Sequence, residues 1–362
     1  MDYLIAIFIV GCSLFYMPNC HFEDIQLAFF KIGVIILFIV SLFLKPVRNI
    51  INPYVNSFLV LATVVFFFIP EEARLRMIVP YINLFLSVIF FYIIVNYLKD
   101  RKIIYKAFSV VIVVNMIFVI LQLLGLDPLC ITTQGFQNKE PMGLFGFKMN
   151  LGAYSSFIMP ITSPIILVLC LVLAIISKGW AMWVALTISG LVASYFMSKK
   201  VFKVLVYLLI PIALFTGFLF IKSPALQEKV DLRVRVHTPF LKVVCARPWT
   251  GYGMGSTSYV AKELDKKINI IGNIGKLEEV WDDYLDMIIQ LGFGALAIMI
   301  LMIRNVWKEF LRHFDREFLS LTISLFIIAI GMCFHSFMYY VNIGLPSLAI
   351  YALWNIKNRE MA

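Results

Sequence analysis

Two stretches of the sequence carry residue types suited to binding charge and moving protons. The first runs Arg-Val-Arg-Val-His-Thr-Pro-Phe-Leu-Lys-Val-Val-Cys-Ala-Arg from 233 to 247. Helical spacing places Arg233, His237, Val244 and Arg247 on one face with Phe240 and Leu241 beside them, and Pro248 ends the helix after Arg247. A guanidinium presents a rigid fork of donors that matches phosphate oxygens two at a time, so this stripe suits an anionic, lipid-linked head group. It would serve equally as an interfacial amphipathic helix whose arginines touch lipid phosphates. The second stretch, Glu278-Glu279-Val-Trp281-Asp282-Asp283-Tyr284-Leu285-Asp286, spaces Glu279, Asp283, Asp286 and Gln290 four, three and four apart, on one face of a helix that runs into an apolar segment. Carboxylates at the mouth of a membrane span are costly unless they face a polar interior, which makes Asp283 and Asp286 functional candidates. For Glu278, Glu279 and Asp282 a solvated helix start, favoured by the macrodipole, is the competing explanation.

Between them lies Pro248-Trp-Thr-Gly251-Tyr-Gly253-Met-Gly255, with glycine at alternate positions. Such a loop can approach a ligand closely or form a tight surface turn. It has no Walker lysine, no GxGxxG and no preceding strand, so it is not a nucleotide loop.

The elements that position these groups follow from composition. Of 362 residues, 62% are hydrophobic and only 14% charged, against about 25% charged in an ordinary soluble domain. Mean hydropathy is +0.92. A soluble enzyme is therefore excluded. Apolar runs near 3–18, 26–44, 54–69, 76–98, 107–125, 151–177, 180–197, 201–220, 286–303, 317–338 and 341–355 predict an all-α fold, a polytopic membrane helix bundle with about 11–12 transmembrane helices and one long external loop. The organisation expected is N-terminal spans in 1–125, central spans in 126–220, a large external loop over 221–285 and C-terminal spans in 286–362.

Lys45 and Arg48, then Lys99, Arg101, Lys102 and Lys106, then Arg304, Lys308, Arg312 and Arg316 mark three cytoplasmic loops by the positive-inside rule. That puts both 126–150 and 221–285 outside. Two external loops must be separated by an even number of crossings, and the apolar runs between 151 and 220 number three. Pro160 and Pro164 offer a repair by splitting the first run into 143–161 and 163–177 with a turn at Ile161–Pro164. The rival repair makes 201–220 re-entrant and leaves Lys199 and Lys200 external.

The formal charge of +10 belongs first to cytoplasmic loops, so no nucleic-acid role is expected. The six cysteines are scattered singly, and no metal-ligand spacing is present on the external loops, so neither a metal nor another cofactor is expected. His335, near a span end, reads as a packing residue.

The order of these features resembles the O-antigen ligase/polymerase superfamily, integral membrane glycosyltransferases that use undecaprenyl-pyrophosphate-linked sugars. Gly143-Leu-Phe-Gly-Phe-Lys148-Met-Asn150-Leu-Gly-Ala-Tyr resembles its "G-T-F-x-N-P-N-x-x-A-x-Y" element. Arg233, followed by Pro248 and Gly251-Tyr-Gly253, resembles "R-x-x-x-W … P-x-x-G-x-G". Trp281-Asp-Asp283-Tyr284-Leu285 … Gln290-Leu-Gly292-Phe-Gly294 resembles "H-N-x-Y-L … E-x-G-x-x-G", and Phe334-His335-Ser336 resembles the closing helices. The chain departs at Trp281, where the family has its histidine, at His237, where it has tryptophan, and at Ser198-Lys199-Lys200, where it has "S-R-G".

The resemblance implies a multi-pass protein of the bacterial cytoplasmic membrane with its active site on the external face. Its substrate would be an undecaprenyl-pyrophosphate-linked oligosaccharide. Its surroundings would be membrane lipid, with a chain-length regulator or other polysaccharide-assembly proteins as partners. Arg233, with Arg235 or Arg247, would hold the pyrophosphate; Lys148 or Lys199 would add a second basic contact. Asn150, Gly251, Gly253 and Tyr284 are the remaining substrate-binding candidates. The base would be His237, since imidazole exchanges protons near neutral pH, or else Asp283 or Glu279. The reaction would be a metal-independent, inverting transfer in lipopolysaccharide or other surface-polysaccharide biosynthesis. A repeat-unit polymerase is the expected form, an O-antigen ligase acting on lipid A-core the alternative. A non-catalytic transporter of lipid-linked oligosaccharide is the competing class.

Overall fold

The computed structural model describes residues 1–14, 22–69, 71–127, 141–145, 148–268, 282–313, 315–333 and 341–361. Among them the chain is all-helical. The helices are α1 (Asp2–Leu14), α2 (Phe22–Leu42), α3 (Pro53–Phe68), α4 (Glu71–Tyr97), α5 (Arg101–Leu123), α6 (Lys148–Ile158), α7 (Pro164–Ser177), α8 (Trp180–Met197), α9 (Lys199–Lys222), α10 (Pro224–Ala246), α11 (Thr257–Ile268), α12 (Asp283–Leu291), α13 (Phe293–Arg312), α14 (Arg316–Met332) and α15 (Val341–Met361).

Two helical stretches, Met77–Tyr97 and Arg101–Leu123, are long and apolar enough to cross a membrane. Shorter apolar helices include Asp2–Leu14, Pro53–Phe68 and Pro164–Ser177. Large apolar side chains lie outward in number: on α5, Val110, Val113, Ile117 and Ile120 are all exposed along one side.

The Pro160–Pro164 region breaks the chain where the sequence requires it. After α6 comes a single 3-10 turn over Met159–Ile161, then extended backbone at Thr162 and Ser163, and α7 opens on Pro164. Pro164 sits in the first turn, where its missing N–H costs nothing. The helix before the break has only 11 residues, about 16 Å of rise. This corrects the expected crossing over 143–161: α6 alone is too short to traverse about 30 Å of hydrocarbon. The re-entrant alternative for 201–220 also finds no break, since α9 runs unbroken for 24 residues through Pro211. The expected span 286–303 is interrupted at Gly292, and Arg304, Lys308 and Arg312, read as loop residues, continue α13.

The helices form two compact units, each assembled from separated stretches: unit 1 comprises Met1–Val55, Ile82–Leu186 and Ile303–Ala362, and unit 2 comprises Asn56–Tyr81 and Thr187–Met302. In unit 1 the three basic segments meet. Arg101 donates from Nε and Nη2 to both carboxylate oxygens of Glu317 at 3.1 and 3.2 Å and also pairs with Glu360. Arg48 bridges Glu360 (2.9 Å) and the carbonyl of Leu98 (2.5 Å). Lys357 pairs with Asp315 at 3.0 Å and Glu317 at 3.4 Å, and Asp315 caps α14 by accepting from the Phe318 N–H. A second knot lies alongside: Asn52 accepts from the N–H groups of Tyr54 and Val55, opening α3, and donates to Tyr351 and Asn355. Residues some 200 to 300 apart in sequence are thereby tied at one end of the unit. Arg101→Ala leaves two carboxylates without their shared partner and should cost about 2–3 kcal/mol, read as a lower melting temperature in detergent. Arg101→Lys should recover only part of it, because an ammonium cannot fork across Glu317. An unchanged melting temperature in the alanine variant would refute the staple.

Candidate functional site

The groups expected to do chemistry concentrate in unit 2, on α10, α11 and α12 and the turn between α10 and α11. Helix α10 begins on Pro224, well before the residue where the sequence stripe begins, and ends at Ala246 with Arg247 as its C-cap. Val236, Phe240 and Val244, at i, i+4 and i+8, enter a core with Val260 and Ala261 of α11 and Leu285, Ile288 and Ile289 of α12. Each such side chain contributes about 1.5–3 kcal/mol when buried, so α10 is held by this stripe. The sequence reading placed Phe240 and Val244 on the cationic face; the structure uses them as core instead.

His237 flanks the buried stripe and is half-buried. Arg235 is exposed, donating to the Asp231 carbonyl at 3.4 Å. Two residues along a helix is a rotation of about 200°, so Arg235 cannot join His237 on one face. Arg247 is exposed, with its guanidinium 5.1 Å from the Tyr252 ring centroid, a cation–π arrangement. Arg233 is part of α10, and its side chain lies outside the described residues, as does that of Lys148; Glu278, Glu279, Trp281 and His335 lie outside them altogether.

The glycine turn packs against its own chain. The N–H groups of Tyr252 and Gly253 donate to the carbonyls of Ile289 and Gln290 at 2.8 Å each, and the Phe293 N–H donates to the Pro248 carbonyl at 2.7 Å. The first two satisfy carbonyls at the C-terminus of α12 that the helix leaves open. Gly251 has φ +60, and a Cβ there would sit 2.6 Å from the Ile289 and Gln290 oxygens; Gly292 has φ +73 and would overlap the Trp249 carbonyl. Both positions need glycine because left-handed backbone and backbone contact coincide there. Gly251 and Gly253, expected to approach a substrate, are buried against protein, Gly253 beside Met77 and Ile69.

Helix α12 opens with Asp282 as N-cap, its carboxylate accepting from Leu285 N–H at 2.9 Å, so Asp282 is structural in the way a helix start requires. Asp283 is buried at 3% exposure and Tyr284 is half-buried. Asp286 and Gln290 share a face, as their spacing predicts: Gln290 Nε2 donates to Asp286 Oδ2 at 2.5 Å, while Gln290 Oε1 accepts from the Gly255 N–H at 2.8 Å. Part of Asp286 reaches solvent, yet its carboxyl group is desolvated. That burial pushes it up to about 6, against the lowering effect of the Thr257 hydroxyl and the Gln290 amide and with a small push from Asp282.

No family model and no curated protein matches this chain.

Lys199 is an exposed residue at the start of α9 in unit 2, while Lys148 and Asn150 open α6 in unit 1, where Asn150 is fully buried with both amide atoms lacking hydrogen-bond partners. Sequence reading missed Ser256 and Thr257, which follow the last glycine of the turn and open α11. The available signal was a hydroxyl pair between a glycine-rich turn and a helical pattern, a common capping arrangement, and it gave no reason to look for more.

Asp286 binds its proton more tightly folded than unfolded, so its contribution to stability is fullest below pH 3.8 and is lost as pH rises through about 6. Asp286→Asn should therefore raise the melting temperature at pH 7.5, by at most about 3 kcal/mol of stability, with the gain shrinking as pH falls from 6 towards 4. Thermal melts of both proteins across that range test it, and a gain that stays constant with pH would contradict a buried, proton-binding carboxyl.

Proposed function

We propose that this protein is a multi-pass membrane glycosyltransferase that lengthens a surface polysaccharide by transferring glycan from an undecaprenyl-pyrophosphate donor to a sugar hydroxyl. The observation that carries this reading is the packing of α10 against α12 in one unit, which sets a helix bearing Arg233, Arg235 and His237 beside a helix bearing Asp283 and Asp286. Glycan transfer from a lipid pyrophosphate asks for both: cations that stabilise the charge developing on the leaving group and a base for the acceptor proton. The acceptor oxygen attacks the anomeric carbon, the bond from that carbon to the pyrophosphate oxygen breaks, and the configuration inverts. The acceptor proton passes to the base and undecaprenyl pyrophosphate departs with the electron pair.

Membrane residence is supported by the two long apolar helices and by the many exposed apolar side chains on other helices. The basic segments gathered at one end of unit 1 fit a cytoplasmic end. The reading then places the bundle in the bacterial cytoplasmic membrane with α10–α12 on the external face, where a chain-length regulator would meet the growing glycan.

Arg233→Ala should abolish long chains in a strain that carries it as the sole copy, leaving single-repeat glycans on a sizing gel. Arg233→Lys should retain a reduced ladder. Wild-type chain lengths from the alanine variant would overturn the assignment.

A further inference from the structure

Among the described residues of unit 2, three hydroxyls are buried without a hydrogen-bond partner, Ser189 Oγ, Ser256 Oγ and Thr257 Oγ1, and the last two are adjacent. A buried polar group left unmade costs about 1–3 kcal/mol, and folded proteins seldom carry two in adjacent residues. Thr257 is only 6% exposed and lies near enough to the Asp286 carboxylate to influence it, although the geometry between them is not that of a hydrogen bond. Both residues stand at the start of α11, a helix of 12 residues whose first N–H groups have no partner within the helix. Opposite is Asp286, braced by Gln290, which is itself fixed to the turn through the Gly255 N–H.

The charge around these groups selects the ligand they suit. Asp282 caps α12 and Asp286 lies in its first turn, and two carboxylates repel a phosphate. Two hydroxyls that can donate or accept and a carboxylate that accepts together match a neutral ligand with several hydroxyl groups.

We propose that Ser256, Thr257, Asp286 and Gln290 form the acceptor-sugar subsite, with Ser256 and Thr257 holding neighbouring hydroxyls and Asp286 taking the proton of the attacking one. This rests on the glycosyltransferase reading and gives that reaction its base. Gln290 is a positioning residue: it fixes one carboxylate oxygen of Asp286 and leaves the attack to the other side of the group. The pyrophosphate is bound elsewhere, on the cationic helix α10.

The test uses the full chain in nanodiscs and undecaprenyl-pyrophosphate-linked repeats extracted from a host strain lacking the protein. The acceptor is the same repeat as a soluble benzyl glycoside, so that donor and acceptor can be varied separately. Thr257→Val, a near-isosteric change, should raise the acceptor KM about tenfold, the loss of one hydrogen bond, with donor KM unchanged. Asp286→Asn should cut kcat at least a hundredfold, within the range general-base catalysis supplies; Asp286→Glu should restore part of it. The wild-type rate should fall below about pH 6, with that acidic limb absent from the residual activity of Asp286→Asn. If wild type transfers glycan while Thr257→Val keeps its acceptor KM, or Asp286→Asn keeps its kcat, the subsite is wrong and the glycosyltransferase reading survives. If wild type transfers glycan to no hydroxyl at all, the reading fails and the subsite falls with it.

Discussion

The backbone clamp between the glycine turn and α12 is the constraint on which the site depends. Three N–H groups, from Tyr252, Gly253 and Phe293, reach carbonyls of Ile289, Gln290 and Pro248. The clamp fixes the end of α10, the start of α11 and the end of α12 relative to one another. It requires two glycines in left-handed backbone facing each other's chain, Gly251 and Gly292. Without it, the core of Val236, Phe240 and Val244 would still favour association of the three helices, but nothing would set the register that brings Gln290 to Gly255 and Asp286 beside Thr257. Hydrophobic burial is non-directional; the hydrogen bonds supply direction.

Much of this was legible in the sequence, and what was not has identifiable physical causes. Helical periodicity gave the shared face of Asp286 and Gln290, and the acid at position 282 announced a helix start. The prolines at 160 and 164 announced a break, because a missing N–H and a fixed φ act locally. The cationic stripe on α10 was only half legible: Phe240 and Val244 lie within the same arc as His237, and periodicity cannot say whether a mixed face turns to a ligand or to a core. The glycine turn failed for a related reason. A glycine reports that something comes close, and here that something is the chain itself, 35 or more residues away. Nor could any local pattern foretell that Arg48 and Arg101 would share Glu360.

The two units divide the work in physical terms. Unit 1 carries the ionic staple at one end and exposed apolar side chains along its helices, the arrangement that the proposed membrane bundle requires. Unit 2 holds the desolvated carboxyl group of Asp286 beside the orphaned hydroxyls of Ser256 and Thr257, while unit 1 has orphaned polar atoms of its own, the Asn150 amide among them.

If α10 to α12 meet a polyprenyl-linked glycan outside the cytoplasmic membrane, as proposed, α10 must be reachable from that side. Cys245 is an exposed, free thiol on α10. In a variant that keeps Cys245 as its sole cysteine, a membrane-impermeant maleimide should label the protein in intact spheroplasts as fully as after permeabilisation. Labelling only after the membrane is opened would put the helix in the cytosol and contradict the account.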